Sequence, residues 1–207
     1  MYRALIPVKS LSEAKSRLAN SLTQDQRKTL VLDMLHHVIS TLLSSDVLAG
    51  VTVVSPDPLV LEKAEAWGAR AQVEEEHGHN PALHAAAVRE LATGATALLT
   101  ISADLPLLHP CDIRGMVEQS RLYDVVLAPS WEGTGTNALL ARPPLALPYL
   151  FGPGSLQHYL AKTEKEHLRS FLYNSIGMAL DVDTIDDVEM FQCYEAEGKA
   201  MYASCYA

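Results

Sequence analysis

Asp181 and Asp183 stand two residues apart in "LDVDTIDDV", and a third carboxylate, Asp104, follows the apolar run of "TALLTISADLP". In an extended chain, residues i and i+2 share a face roughly 6–7 Å apart. Two like charges held that way repel unless a cation lies between them. With Asp104 they would form a hard oxygen site. Mg²⁺ suits such a site, since it takes one or two carboxylates and completes its octahedron with waters and substrate phosphates. The opposite charge gathers at the other end of the chain. Residues 1–28 hold six Lys or Arg (Arg3, Lys9, Lys15, Arg17, Arg27, Lys28) against two acids, Glu13 and Asp25. In "IPVKSLSEAKSRLA" a strand-like start runs straight into Lys9, Lys15 and Arg17, with no glycine where α/β proteins often place a phosphate loop. On a chain of net charge −9, that surplus suits a small anionic ligand or else forms a solvated basic face.

Two further segments offer donors. In "LFGPGS", Gly152 and Gly154 permit positive φ and Ser155 reads as the cap of the next helix. A helix start favours a phosphate or carboxylate, although an ordinary tight turn is the other reading. "GTGTNAL" sets Thr134, Thr136 and Asn137 around two glycines, and a hairpin turn accounts for it equally. The eight histidines form no metal set. His36 and His37 fall mid-helix, while His77 and His79 flank Gly78, and all four read as structural or solvated. Trp67 and Trp131 read as core or loop anchors. No G-x-S-x-G, H-E-x-x-H or P-loop is present.

These residues need a frame. "RALIPV", "GVTVVS", "ARAQVEE", "TALLTIS", "YDVVLAPS" and "GMALDVD" read as strands. Between them lie helical patterns. The first opens at Thr23 with Gln26 three residues on, a capping box. "PLVLEKAEAWG" ends at Gly68, and "NPALHAAAVREL" takes Asn80 as its cap and Pro81 in its first turn. "PCDIRGMVEQS", "LQHYLAKTEKEH" and "DDVEMFQCYEAE" follow, with a turn-rich "WEGTGTNALLARPP" before the last two. Such alternation implies βαβ units in an α/β three-layer sandwich with a mostly parallel sheet, one domain over residues 1–207. Ligands of open parallel sheets sit beyond the carboxyl ends of the strands. The basic turn, "SADLPLL", "GTGTNALL" and "DVD" all share that position.

Composition narrows the class. Hydrophobic content of 48% and charged content of 20% are ordinary for a globular protein. The acidic balance argues against nucleic acid as a bulk partner. "MYRALIPVKS" lacks the pattern of a signal peptide, and no apolar run approaches the ~18 residues of a membrane span. Cys111, Cys193 and Cys205 show no metal-type spacing and read as free thiols in a reducing, cytoplasmic setting. The tail "GKAMYASCYA" is either frayed or a docking segment.

Taken in order, "LIPVKSLSEAKSRLA", "VVSPDP", "SADLPLL", "GTNALL", "FGPGS" and "LDVDTIDDV" cover residues 3 to 188. The set resembles the phospholactate and phosphoenolpyruvate guanylyltransferases of coenzyme F-420 biosynthesis, a branch of the MobA-like fold of nucleotide-diphospho-sugar transferases. The resemblance implies transfer of GMP from GTP to the phosphate of a three-carbon phosphoacid (2-phospho-L-lactate, phosphoenolpyruvate or 3-phosphoglycerate), releasing pyrophosphate. It implies Lys9, Lys15 and Arg17 on the triphosphate, with Lys15, Arg17 and Asp104 catalytic. It places Mg²⁺ on Asp104, Asp181 and Asp183, Asn80 near the guanine, and Thr136, Asn137, Gly152 and Ser155 around the acceptor. There are departures. The wider superfamily's G-x-G-x-R loop is absent, and His79 stands where the family has an apolar residue. The resemblance leaves room for a homodimer. A molybdenum-cofactor or sugar-phosphate type nucleotidyltransferase, and a non-catalytic nucleotide-binding regulator on the same fold, remain as other readings.

Overall fold

A computed structural model describes residues 1–198 except 75 and 77. Cys205, His77 and nearly all of the tail "GKAMYASCYA" therefore lie outside the described residues. Seven strands form one sheet in the order β3-β2-β1-β4-β6-β5-β7. They are β1 (Tyr2–Pro7), β2 (Val51–Ser55), β3 (Arg70–Val73), β4 (Ala97–Ile101), β5 (Val125–Pro129), β6 (Thr136–Ala141) and β7 (Ser170–Leu172). All pairings are parallel except those of β6, which runs antiparallel to β4 and β5.

The strands carry apolar residues on both faces because both faces are covered. Ala4 and Ile6 of β1, and Leu99 and Ile101 of β4, join one core with α1 (Gln24–Ser44), α2 (Pro58–Ala66) and α4 (Pro110–Gln119). Leu5 and Leu98 point the other way, into a second core with α3 (His79–Ala92) and α5 (Ser155–Lys165). Each fully buried leucine or isoleucine there contributes about 1.5–3 kcal/mol of transfer free energy. Three layers result, as expected.

Local signals explain several boundaries. The Thr23–Gln26 capping box opens α1 with both reciprocal hydrogen bonds. Asp57 caps α2 in front of Pro58. Other expectations fail. α3 begins at His79 with Gly78 as its cap at φ 103°, so Asn80 lies inside the first turn and does not cap it. Likewise α5 is capped by Gly154 in the left-handed region, and Ser155 is its first residue. The turn-rich "GTGTNALLA" contains β6, six buried residues wedged between two antiparallel neighbours. "GMALDVD" is no strand: Ser175 caps a single turn, α6 (Ile176–Ala179), and an irregular stretch leads into α7 (Ile185–Gly198). No described helix is long and apolar enough to cross a membrane.

Candidate active site

β1 sits where the strand order reverses, with β2 on one side and β4 on the other. Crossovers leaving on opposite sides open a crevice beyond the carboxyl ends. A cleft of about 1100 Å³ occupies that position.

The turn after β1 is shaped without glycine. Leu11 and Leu18 are buried as anchors. Asp57 accepts the Leu11 amide at 2.9 Å while its other oxygen caps α2. Lys15 adopts φ 52°, ψ 42°, a left-handed conformation that costs a non-glycine residue about 1–2 kcal/mol. That geometry directs its side chain, only 7% exposed, into the cleft. Its Nζ donates to Asp104 and, at 2.9 Å, to Asp183. Arg17 reaches Asp183 at 3.7 Å from a largely solvent-exposed position. Lys9 is exposed on the cleft lining.

The carboxylates are held by backbone. The Val182 amide donates to the Asp104 carbonyl at 3.2 Å, which joins the two acid-bearing segments. Val182 is buried, and its neighbours Asp181 and Asp183 both line the cleft, so the i, i+2 relation survives without a strand. Asp187 fixes the next turn by accepting the Asp183 and Thr184 amides. Desolvation pushes the Asp183 carboxyl up, but Lys15, with Arg17 and Lys9, outweighs it and leaves the group below its ordinary value. Burial pulls the Lys15 ammonium down, yet Asp104 and Asp183 more than reverse this and keep it charged. Asp181 differs: burial, then the charges of Asp104 and Asp183, hold it above its ordinary value against the Asn137 hydrogen bond.

Among the described residues, no group of three Asp, Glu, His or Cys side chains is gathered closely enough to hold a metal ion. The expected three-carboxylate Mg²⁺ site is thus not preassembled. Asp104 and Asp183 share an ammonium instead, and Asp181 accepts from Asn137 at 2.9 Å. A divalent cation fits the chemistry of the pair, which already converges oxygens on a cation, and Mg²⁺ needs no more than two carboxylates.

On the far wall the expected acceptor residues divide. Thr136 is buried on the lining, with a hydroxyl that has no hydrogen-bond partner. Asn137 is a bracket: its Nδ2 lies within hydrogen-bond distance of the Met178 and Ala179 carbonyls as well as Asp181. Gly152, Gly154 and Ser155 border the cleft. The amides at this helix start are not all free, since Ser155 donates to the Gly152 carbonyl and Leu156 to the Thr134 carbonyl. Asn80 does not line the cleft; both ends of its carboxamide are bonded to the Phe151 backbone at 3.0 Å. Its neighbour His79 borders the cleft and packs edge-on against Phe151, with burial and then Lys9 keeping the imidazole below its ordinary pKa. His36 and His37 are structural, the first against Trp67 and the second bonded to the Leu108 carbonyl. Trp131 is exposed on the rim, edge-on to Tyr194. The sequence reading passed over Asp57 and Asp187, although Asp57 before Pro58 and the Thr184–Asp187 pair carry helix-cap signatures; the bracketing role of Asn137 depends on backbone partners that have none.

A family model described as "Guanylyl transferase CofC like" matches residues 2–202. A phosphoenolpyruvate guanylyltransferase of Rubrobacter xylanophilus is 40% identical over 200 residues, 96% of each chain. Among solved structures, a protein assigned as a nucleotide-diphospho-sugar transferase from Desulfovibrio desulfuricans superposes with a TM-score of 0.81 at 16% identity, covering 97% of this chain and 89% of that one. Glucosyl-3-phosphoglycerate synthase of Mycobacterium tuberculosis, in complex with Mg²⁺ and uridine diphosphate, gives a TM-score of 0.59 at 15% identity over 84% of this chain and 69% of that one. The two structural likenesses speak for the fold.

Proposed function

The chain belongs to the CofC-like guanylyl transferase family, and from that premise we propose that it moves GMP from GTP onto the phosphate of a three-carbon phosphoacid. Phosphoenolpyruvate is the acceptor named for the relative in Rubrobacter xylanophilus; 2-phospho-L-lactate and 3-phosphoglycerate are the other candidates. The product would feed coenzyme F-420 biosynthesis in the cytoplasm. The observation that carries this reading is the meeting of Lys15 with Asp104 and Asp183 in one cleft at the switch point of the sheet.

An acceptor phosphate oxygen forms a bond to the α-phosphorus of GTP, the α–β bridging bond breaks, and pyrophosphate leaves with that electron pair. The attacking oxygen is already anionic, so no side chain need act as base or nucleophile. The protein's task is to hold two polyanions in line and neutralise them. Lys9, Lys15 and Arg17 supply positive charge on the nucleotide side. Asp104 and Asp183 would hold Mg²⁺, which when bound would offset phosphate charge. Thr136, Gly152 and Ser155 would receive the acceptor's phosphate and carboxylate, while Asn137 keeps Asp181 in place.

Mass spectrometry of the products formed from GTP, CTP or ATP with each of the three phosphoacids tests the reading. A guanylylated phosphoacid and pyrophosphate are expected with GTP. A clear preference for CTP, or transfer to none of the acceptors, would overturn it.

A further inference from the structure

The loop that brings Gly152 and Ser155 to the cleft has little conformation of its own. Gly152 sits at φ 133° and Gly154 at φ 69°, and a stretch with two such glycines gives up more freedom on ordering than any other residue type would require. Its far end is tied by the Ser155 amide to the Gly152 carbonyl and by the Leu156 amide to the Thr134 carbonyl; its start is tied by side chains from outside the loop. At its start, Tyr159 accepts the Leu150 amide at 2.9 Å. One residue later, Asn80 takes both polar groups of a single backbone unit: its Nδ2 donates to the Phe151 carbonyl and its Oδ1 accepts the Phe151 amide, each at 3.0 Å. The Phe151 ring is packed by Tyr149, Tyr159 and His79 at centroid distances of 6.0, 5.6 and 5.9 Å. Gly152 follows immediately.

We propose that Asn80 is a positioning residue for the acceptor loop, a clamp that fixes Phe151 and thereby the placement of Gly152 through Ser155, and that it does not read the nucleotide base. A carboxamide suits this role because it presents one donor and one acceptor at the spacing of a peptide unit. An aspartate would set a carboxylate oxygen against the Phe151 carbonyl, and an alanine would leave both backbone groups unpaired in a half-buried place. The clamp also joins the two halves of the cleft. Asn80 is adjacent to His79, which lines the wall shared with Lys9, so the nucleotide side and the acceptor loop meet at the first turn of α3. The inference rests on the acceptor reading of that loop given above.

The test compares Asn80→Ala and Asn80→Asp with the parent enzyme. With phosphoenolpyruvate as acceptor, KM for the acceptor should rise about tenfold or more, while KM for GTP and direct binding of α,β-methylene-GTP stay within about twofold. The ratio of GTP to ITP use should not change. Combining Asn80→Ala with Ser155→Ala should raise acceptor KM by less than the product of the single effects. Hydrogen exchange, which needs no substrate, should speed up in residues 149–157 and stay unchanged in β1 and β4. A changed GTP-to-ITP ratio with a normal acceptor KM would overturn the proposal. So would unaltered exchange in the loop, or an equal loss in every kinetic constant. If the parent enzyme guanylylates no three-carbon phosphoacid, the functional reading fails and takes the acceptor role with it, whereas the exchange result still decides whether Asn80 clamps the loop.

Discussion

Each end of β1 meets a cluster of carboxylate and cation, and the two clusters are built on opposite ratios. At the amino end Arg3 and Arg70 converge on one carboxylate, Glu90, which also accepts from Thr52 at 2.7 Å. Glu90 is only 3% exposed. Beyond the carboxyl end, Asp104 and Asp183 share Lys15, Arg17 approaches Asp183, and Asp181 stands beside them on Asn137; the Asp183 side chain is 44% exposed. The first cluster has more positive charge than negative and its carboxylate is closed off; the second has excess negative charge and opens on a 1100 Å³ cleft. A buried charge must be partnered to persist, and the Glu90 carboxylate is taken up by its own two arginines and Thr52. The Asp104–Asp183 cluster remains short of cations, which is what a site for a metal–nucleotide needs.

Asp104→Ala should break the comparison most sharply. Turnover is expected to fall by about 10³-fold, since a preorganised charge at the proposed reaction centre is removed. Stability should change by less than about 1 kcal/mol, because Lys15 retains Asp183. Steady-state kinetics and urea unfolding of the same preparation would measure both. A loss of stability matching the loss of turnover would mean that the cleft cluster is structural, like its counterpart.

Glu90→Gln should give the reverse pattern. Removing one partner of a buried ion cluster costs about 3–5 kcal/mol, and kcat and both KM values should be unaffected. The effect carries a pH signature. Burial raises the Glu90 carboxyl, but hydrogen bonds from Arg3, Thr52 and Arg70, and the Arg70 charge, bring it below its ordinary value. A carboxyl whose folded pKa is depressed stabilises fully above its unfolded value, about 4.3, and loses that contribution as pH falls through the folded value. The gap between parent and variant should therefore be widest near neutrality and narrow below about pH 4. Urea midpoints across that range would show it, and a gap independent of pH would contradict the assignment.

The same contrast explains what could be read in advance. Signals that act locally were legible: the Thr23–Gln26 box and the apolar runs covered on both faces. β6 was not, because a strand buried on both sides between antiparallel neighbours lacks alternation, and its glycine- and threonine-rich lead-in looks like a turn. β7 has three residues, too few for any period. In the site, residue types were legible but not their partners. Lys15 finds Asp104 and Asp183 across 89 and 168 residues of sequence. Asn80 and Asn137 were read as ligand contacts, and both are engaged with backbone. The carbonyl or amide that occupies a side chain leaves no trace in residue identity.

Lys15 offers the finest test. Its ammonium stands between the two carboxylates that a divalent ion would use, so metal and lysine compete for the same oxygens. Counting formal charges along the cleft lining, seven acids against Lys9, Lys15 and Arg17 leave −4, and Lys15→Met would make this −5. The variant should bind Mn²⁺ without nucleotide about tenfold more tightly than the parent, a difference of ~1.4 kcal/mol, read from the loss of the free-ion signal in electron paramagnetic resonance. It should also turn over more slowly, because one of the cations that would offset the phosphate charge is gone. Mn²⁺ affinity unchanged or weakened in Lys15→Met would show that the ammonium supports the carboxylates and does not occupy the ion's place. The excess of acid in the cleft would then have to be balanced by some other cation.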